Sequence, residues 1–324
     1  MMTDRLIVLF EQSDGKFLSG EQLSEELGVS RTAVWKQIER LRQQGYRFEA
    51  VSRKGYRLLS KPDRLDMSRL QLKLETERFG RYVKYYDQVE STQIVAARCV
   101  ADGAEEGTLI LTEEQTAGKG RMGRKWHSPV GKGIWMSLVL KPVWIPLLFT
   151  PQLTLLVAVA LCRAIRGATG VEAGIKWPND LLVGGKKVAG ILLESSAEDE
   201  RLQHVIAGVG ISVNLQSDDF PPEMWGTATS LAIEAGRQVD RIEVLSRFLL
   251  EWEQLYGLYR REGFAPIKLL WEALTVSLHR NIRCRTPQGE LEGFAEGIDE
   301  HGALQLRLAD GTVKKLYSAD ISFG

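Results

Sequence analysis

The stretch SGEQLSEELGVSRTAVWKQIERLRQQGY, residues 19–46, constrains the fold more tightly than any other part of the sequence. Ser19 and Ser30 each stand where an N-cap belongs, ahead of apolar residues at helical spacing, and Ser19 with Gln22 forms a capping-box pattern. Leu23, Leu27, Val34, Ile38 and Leu41 recur at helical intervals, Gly28-Val29 breaks the chain between the two helices, and Gly45 sits at the second C-cap. This is helix-turn-helix spacing. The following YRFEAVSRKGYRLL alternates apolar and polar residues on both sides of Arg53-Lys54-Gly55, which predicts a two-stranded hairpin with a basic tip. Helix-turn-helix plus hairpin is a winged helix.

Charge gives that module a direction. The whole chain has a formal net charge of zero, yet from Arg31 to Arg57 the cations Arg31, Lys36, Arg40, Arg42, Arg47, Arg53, Lys54 and Arg57 are matched only by Glu39 and Glu49. A winged helix places the first residues of its second helix in the major groove, so Ser30, Arg31, Thr32, Trp35 and Lys36 are the candidate DNA contacts. Arg53 and Lys54 are placed to reach phosphate. The alternative is a protein-interaction module whose charges are merely solvated; the polarity of charge argues for DNA.

A module of this size leaves most of the 324 residues to other domains. With 44% apolar and 26% charged residues the rest has the composition of an ordinary soluble globular protein. Cys99, Cys162 and Cys284 lie far apart with no C-x-x-C pair, which excludes a disulfide-stapled fold and fits a reducing cytosol. The N-terminus MMTDRLIVLFEQSDG carries an early acid and only a short apolar run, and is expected to be neither a signal peptide nor a membrane span. The run Leu153 to Cys162 is also too short to span and predicts a buried helix. No membrane partner is expected.

Near Lys61-Pro62-Asp63 the basic module gives way to a linker, and a new core begins around Tyr82. YVKYYDQVESTQIVAARCVADG predicts a strand and then a helix capped at Glu90-Ser91-Thr92 and ended by Gly103. Hydroxyls there are plausible ligand donors or simply caps. In TLILTEEQTAGKGRMGRKWHSPVGKGIWMSLVL a strand runs into Gly118-Lys119-Gly120-Arg121-Met122-Gly123-Arg124-Lys125-Trp126 and a second strand follows. The loop contains G-x-G-x-x-G but leads into an extended run rather than a helix, so it is not a dinucleotide-binding turn. No Gly-Lys is followed by Ser or Thr, which excludes a Walker A loop. What remains is a strand-to-strand loop whose cations and small residues suit phosphate and carboxylate together, or a solvated basic loop. Beyond a core helix over Thr150 to Gly167, GIKWPNDLLVGGKKVAGILLE puts Lys176-Trp177-Pro178-Asn179-Asp180 before a hairpin turning at Gly184-Gly185, with Lys186 and Lys187 opening the return strand. Lys187 reads equally as an edge gatekeeper or as a site residue. From Val276, short β runs separated by Pro-Gln-Gly, Asp-Glu-His-Gly and Asp-Gly turns predict a small β-barrel.

With the winged helix, GKGRMGRKW, KWPNDLL and KVAGILLE in this order, the chain resembles the bifunctional biotin-protein ligase and biotin operon repressor family over essentially its whole length. The resemblance implies an α+β protein: a winged helix over 1–62, a class II synthetase-like catalytic domain over 63–275, and an SH3-like β-barrel over 276–324. It implies that Ser91, Thr92, Gln93 and Gln115 bind biotin together with Lys119, Gly120, Arg121, Lys187, Gly190, Gly208 and Gly210. The nucleotide side would be Arg121, Arg124, Trp126, Asn179, Asp180 and Asn214, with Asp180 also towards Mg²⁺. Lys187, Arg121 and Lys119 would be the catalytic cations. ATP and biotin would be the substrates, a biotin carboxyl carrier domain of the acetyl-CoA carboxylase type the acceptor, and the protein a cytoplasmic repressor that binds operator DNA, with biotinyl-AMP as the corepressor whose binding drives homodimerisation. Two positions depart from the family pattern: Lys119 stands where arginine is usual, exchanging a fork for a point charge, and Ser212 stands where asparagine is common. The other readings are a biotin-responsive transcription factor without catalysis and a lipoate-type protein ligase.

Overall fold

Leu6 and Phe10, one helical turn apart, make the RLIVLF run a buried helix, which the sequence showed only as a short apolar stretch. This helix, α1 (Met2–Gln12), packs with α2 (Gly20–Leu27), α3 (Arg31–Gln43) and the antiparallel hairpin β1 (Arg47–Val51) and β2 (Gly55–Ser60). The seven residues Leu6, Phe10, Leu23, Val34, Ile38, Leu41 and Phe48 form their common core. The capping box is formed: Gln22 N donates to Ser19 Oγ at 3.1 Å and Ser19 N to Gln22 Oε1 at 2.9 Å. Gly28 ends α2 in the left-handed region at φ 65°. Leu18, ahead of α2, forms an antiparallel bridge with Tyr56 of β2, and a Cβ on Gly55 would lie 2.0 Å from the Leu18 carbonyl oxygen, so only glycine fits there.

The computed structural model describes every residue except 1, 14, 44, 61, 62, 287, 288 and 324. The expected linker at Lys61-Pro62 and the first two residues of the Pro287-Gln288-Gly289 turn lie outside the described residues. The chain forms two compact units, Met1–Arg64 and Leu65–Gly324.

The second unit opens with α4 (Met67–Lys73), β3 (Val83–Val89), α5 (Thr92–Ala101), β4 (Leu109–Gln115), β5 (Gly133–Leu140) and α6 (Thr150–Thr169). It continues with β6 (Gly174–Lys176), β7 (Asp180–Val183), β8 (Lys186–Glu198), β9 (Arg201–Ser212), α7 (Leu231–Ala235), α8 (Arg241–Glu262) and α9 (Ala265–Leu274). The strands form one seven-stranded mixed sheet in the order β3-β4-β5-β9-β8-β7-β6. Only β3 and β4 run parallel; the other pairs are antiparallel. Side chains alternate between faces, so Leu109, Leu111, Leu138 and Leu140 join the large core with α6 and α8, while Ile110 and Val139 join Ala96 and Cys99 of α5. The segment Leu147–Thr169 is long and apolar enough to cross a membrane, but most of its apolar stretch is buried inside the protein as the core helix α6. Burial pushes the Cys162 and Cys284 thiols up to about 11, which makes them inert packing groups.

A buried ion pair fixes the start of this unit. Arg241 and Glu113 are 2.9 Å apart and at most 1% exposed; Glu113 also accepts from Leu65 N at 2.6 Å and Tyr85 Oη at 2.7 Å. The chain ends in β10 (Arg280–Thr286), β11 (Gly289–Ile298), β12 (Leu304–Arg307), β13 (Val313–Leu316) and β14 (Asp320–Phe323), an antiparallel five-stranded sheet in the order β13-β12-β11-β10-β14. Its Asp299-Glu300-His301 trio is a folded turn. Asp299 Oδ1 accepts from His301 N and Ala303 N at 2.9 Å each, and its other oxygen pairs with Lys315 at 3.0 Å.

Candidate functional site

The GKGRMGRKW loop does join two strands, β4 and β5, and it folds back on itself as a small hairpin. Trp126 N donates to Gly118 O at 2.8 Å, Gly120 N to Arg124 O at 2.7 Å, and Met122 turns the chain in the left-handed region at φ 56°. A Cβ on Gly118 would meet Trp126 O at 2.5 Å, which explains glycine there. The fold brings this loop, the start of α5 and strands β8 and β9 around one cavity.

Every residue expected to bind biotin lines that cavity: Ser91, Thr92, Gln93, Gln115, Lys119, Gly120, Arg121, Lys187, Gly190, Gly208 and Gly210. At the start of α5 a polar chain is tied together. Thr92 N and Oγ1 both donate to Gln115 Oε1, at 2.9 and 3.2 Å, and Gln115 Nε2 donates to Ser128 Oγ at 2.9 Å. Ser137 Oγ lies 2.8 Å from Thr92 Oγ1 and 2.9 Å from Gln93 Oε1, and Gln93 Nε2 donates to Glu194 at 3.0 Å. These partners of the lining residues were not legible in the sequence: Ser137, a serine inside a fully buried strand, reads as filler, and Ser128 and Glu194 carry no local pattern that points to the site. Ser91 corrects one expectation: it occupies the N-cap position but makes no side-chain cap. Its hydroxyl is buried with no hydrogen-bond partner, so it is available to a polar ligand.

The strands supply a glycine floor. Cβ atoms added at Gly190 and Gly210 would lie 2.8 and 2.3 Å from the Trp126 indole, and one at Gly208 would lie 3.0 Å from Gln93. Trp126 therefore lies flat against β8 and β9 within the cavity, its Nε1 buried without a partner, and Lys187 Nζ sits 5.0 Å from its ring centroid.

The cations are individually held. Lys187 Nζ is 2.7 Å from Asp180 Oδ1, and Arg121 donates to Asn179 Oδ1 at 2.6 Å while Asn179 Nδ2 donates to Ile191 O at 2.9 Å. Arg121 also reaches Ser318 and Arg124 pairs with Asp320 at 2.8 Å, so the C-terminal sheet touches the loop. Burial lowers the pKa of Arg121, and burial beside Lys187 lowers that of Lys176, with Asp180 opposing both shifts. Arg124, Trp126, Asn179 and Asp180, the residues expected on the nucleotide side, line the same cavity. Asp180 is the only carboxylate among the described lining residues. One carboxylate already paired with a lysine does not make a metal site alone, but it fits Mg²⁺ that arrives on nucleotide phosphates.

Asn214 is a correction. It does not line the cavity; its Nδ2 donates to Val239 O and its Oδ1 accepts from Val239 N, both at 2.9 Å, so its amide ties the end of β9 to the segment before α8. Asn214→Ala is expected to lower stability by about 2 kcal/mol with the KM for nucleotide unchanged. Thermal melts and initial rates of the same preparations check this; a raised KM at unchanged stability would return Asn214 to the nucleotide side.

In the first unit, Ser30 caps α3, its Oγ accepting from Ala33 N at 3.2 Å. Arg31 and Thr32 are exposed, as are Trp35, at 51%, and Lys36. Arg31 pairs with Glu21 at 2.7 Å. Arg53 and Lys54 occupy the turn between β1 and β2.

The comparisons agree with this layout. A family model described as an HTH domain matches residues 3–57, one described as the biotin/lipoate A/B protein ligase family matches 85–212, and one described as the biotin protein ligase C terminal domain matches 278–324. The bifunctional ligase/repressor BirA of Bacillus spizizenii is 51% identical over 98% of this chain and 98% of its own. The protein of the same name from Escherichia coli is 30% identical over 98% of this chain and 96% of its own. Among solved structures, a biotin protein ligase from Aquifex aeolicus in complex with biotin and ATP superposes with a TM-score of 0.65 at 28% identity, covering 75% of this chain and 98% of that one. A winged helix joined to a glycine-floored, cation-rimmed cavity, with full-length relatives of the same plan, places the chain in the biotin/lipoate A/B protein ligase family, among its bifunctional ligase/repressors.

Proposed function

We propose that the chain is a biotin-protein ligase that makes biotinyl-5′-AMP and passes the biotinyl group to a lysine of a carrier domain, and that it also represses transcription. The observation that carries the catalytic part is the convergence of Lys119, Arg121, Arg124 and Lys187 on one cavity with a glycine floor and a buried, unpartnered Ser91 hydroxyl. In the first step a biotin carboxylate oxygen attacks the α-phosphorus of ATP and the bond to pyrophosphate breaks. In the second, a neutral acceptor lysine attacks the acyl carbonyl, releasing AMP and a proton. Neither step needs a protein nucleophile, and none of the three buried cysteines lines the cavity.

What the protein supplies is position and charge. Ser91, Thr92 and Gln115 offer hydroxyl and amide groups to the polar head of biotin, and Gly190, Gly208 and Gly210, having no side chains, leave room for Trp126 and Gln93 to shape the cavity against β8 and β9. Arg121, fixed by Asn179, and Lys187, fixed by Asp180, are preorganised for oxygens whose negative charge grows in the transition state. Mg²⁺ on the nucleotide would neutralise phosphate charge, with Asp180 the carboxylate nearest to hand. Lys119 in place of an arginine keeps the charge but not the bidentate geometry.

The repressor part rests on the winged helix and on the exposed Trp35 and Lys36 of α3. A helix-turn-helix protein gains specificity from two half-sites, so a dimer would bind the operator more tightly than a monomer, with biotinyl-AMP as the corepressor that favours it. A biotin carboxyl carrier domain in the cytoplasm is the acceptor this chemistry requires. Incubation with labelled biotin or lipoate, ATP and a lysine-bearing carrier domain tests the reading: biotin is expected on the carrier lysine, with pyrophosphate released and the adenylate trapped when the carrier is omitted. Label from lipoate alone would make it a lipoate-type ligase, and biotin bound without pyrophosphate release would make it a non-catalytic sensor.

A further inference from the structure

The segment 216–229 and the connection from the glycine-rich loop to β5 are far apart in sequence, yet one residue of the first is held twice by the second. His127 Nε2 lies 2.8 Å from the backbone carbonyl oxygen of Asp219, so this nitrogen carries the proton and donates. Lys132 Nζ lies 2.9 Å from the side-chain carboxylate of the same Asp219. That carboxylate also accepts from Gln216 N at 2.7 Å and closes the turn Ser217–Asp219. Beyond it, Phe220, Met224 and Ala228 pack with Trp126 and Trp135. The other end of the segment is fastened to the catalytic strand: Lys187 N donates to Thr227 O at 2.8 Å, and Thr229 N to Lys187 O at 2.9 Å.

The segment is thus strung between Asp219, gripped by that connection, and Lys187, the cation of the proposed reaction. His127 is the residue next to Trp126, whose indole lies on Gly190 and Gly210 and under the Lys187 ammonium. Releasing Asp219 would free the segment at one end and loosen the wall formed by Met224 and Trp126 without touching a reacting atom.

We propose that His127 is a positioning residue for adenylation: with Lys132 it clasps Asp219, and the clasp holds the segment 216–229 and Trp126 in the arrangement that receives the nucleotide. This rests on the ligase reading. An unclasped segment must be ordered when nucleotide binds, so the cost falls on the KM for ATP; once bound, Arg121 and Lys187 meet the same oxygens, so kcat is spared. A ring that merely packs would change stability and leave the KM alone.

The test measures pyrophosphate release from biotin and ATP with the full chain. Wild-type activity comes first, because its absence overturns the ligase reading rather than the clasp. His127→Ala is expected to raise the KM for ATP about fivefold, the worth of one hydrogen bond, with kcat within about twofold. His127→Gln, whose amide can donate to the same carbonyl, should recover most of the loss. Lys132→Met should raise the KM by a similar factor, and the double variant by less than the product of the two, since both residues hold Asp219. An unchanged KM in His127→Ala, equal losses in the Gln and Ala variants, or factors that simply multiply would each overturn the proposal. If His127→Ala loses its cooperative melt, Lys132→Met decides alone: a wild-type KM there removes the clasp.

Discussion

Lys187→Ala is expected to slow biotinyl-adenylate formation by on the order of 10²-fold or more while leaving the cooperative melt in place. Both halves of that expectation come from how the residue is held. Its backbone, not its side chain, makes the contacts that keep the strand and the segment 216–229 together, donating to Thr227 and accepting from Thr229. Alanine preserves both. Its ammonium, by contrast, is aimed: one-third exposed, 2.7 Å from Asp180 and 5.0 Å from the Trp126 ring centroid, it is held before any substrate arrives. A charge held in advance costs no reorganisation when phosphate and carboxylate oxygens become more negative, and losing one such group is typically worth about 3 to 4 kcal/mol. Two roles have to be separated, because the variant also strips Asp180 of its partner. In Lys187→Ala the Asp180 carboxylate loses its partner at 2.7 Å and faces the incoming phosphates with only Arg121 and Lys176 to offset its charge. If that repulsion were the whole effect, Asp180→Asn combined with Lys187→Ala would restore the rate. The expectation is that the double variant stays slow, and that a single-turnover measurement shows the loss in the chemical step. Near-normal single-turnover adenylation in Lys187→Ala would remove Lys187 from the mechanism.

What the sequence showed and what it hid divide along a physical line. The capping box at Ser19 and Gln22, the left-handed Gly28, the Gly184-Gly185 turn and the strand-to-strand character of the glycine-rich loop depend on neighbours within a few residues, and local pattern reveals them. The partnerships that make the site work are long-range. Glu113 meets Arg241 across 128 positions, Arg121 meets Asn179 across 58, and His127 meets Asp219 across 92. No periodicity marks such pairs. Ser137 shows why: in the fully buried strand GIWMSLVL its hydroxyl looks like a small core residue, and only the passage of β5 beneath the start of α5 turns it into a partner of Thr92 and Gln93. Asn214 is the reverse case, a polar residue near the site in sequence whose amide is taken by Val239. Within the loop, charge alone could not rank the cations either: Arg121 turns inward and loses solvent, while Lys119 and Arg124 remain exposed.

Removal of residues 1–64 is expected to abolish sequence-specific DNA binding and to leave adenylation within about twofold of the full chain. The cut falls between two units, and each keeps its own core. Leu6, Phe10, Leu23, Val34, Ile38, Leu41 and Phe48 belong wholly to the part removed. The part that remains begins at Leu65, whose backbone N–H is held by Glu113, and Glu113 is neutralised in the interior by Arg241. The truncated chain therefore keeps a core cluster of its own and the buried Glu113–Arg241 pair, the kinds of feature whose loss most often unfolds a domain. Everything proposed to read DNA goes with the deletion: the exposed start of α3 with Arg31, Thr32, Trp35 and Lys36, and the Arg53-Lys54 turn. The loss should be specific as well as large, on the order of 10³-fold or more in preference for the selected duplex over random sequence. Point variants separate the two kinds of contact: Arg31→Ala should flatten sequence preference, whereas Lys54→Ala should mainly reduce the dependence of affinity on salt. Selection of duplexes from a random library with full and truncated chains, followed by titration at several salt concentrations beside a pyrophosphate-release assay, measures all of this. Enrichment of the same duplexes by the truncated chain would show that the winged helix is not the DNA reader, and loss of adenylation together with DNA binding would show that the ligase unit depends on it.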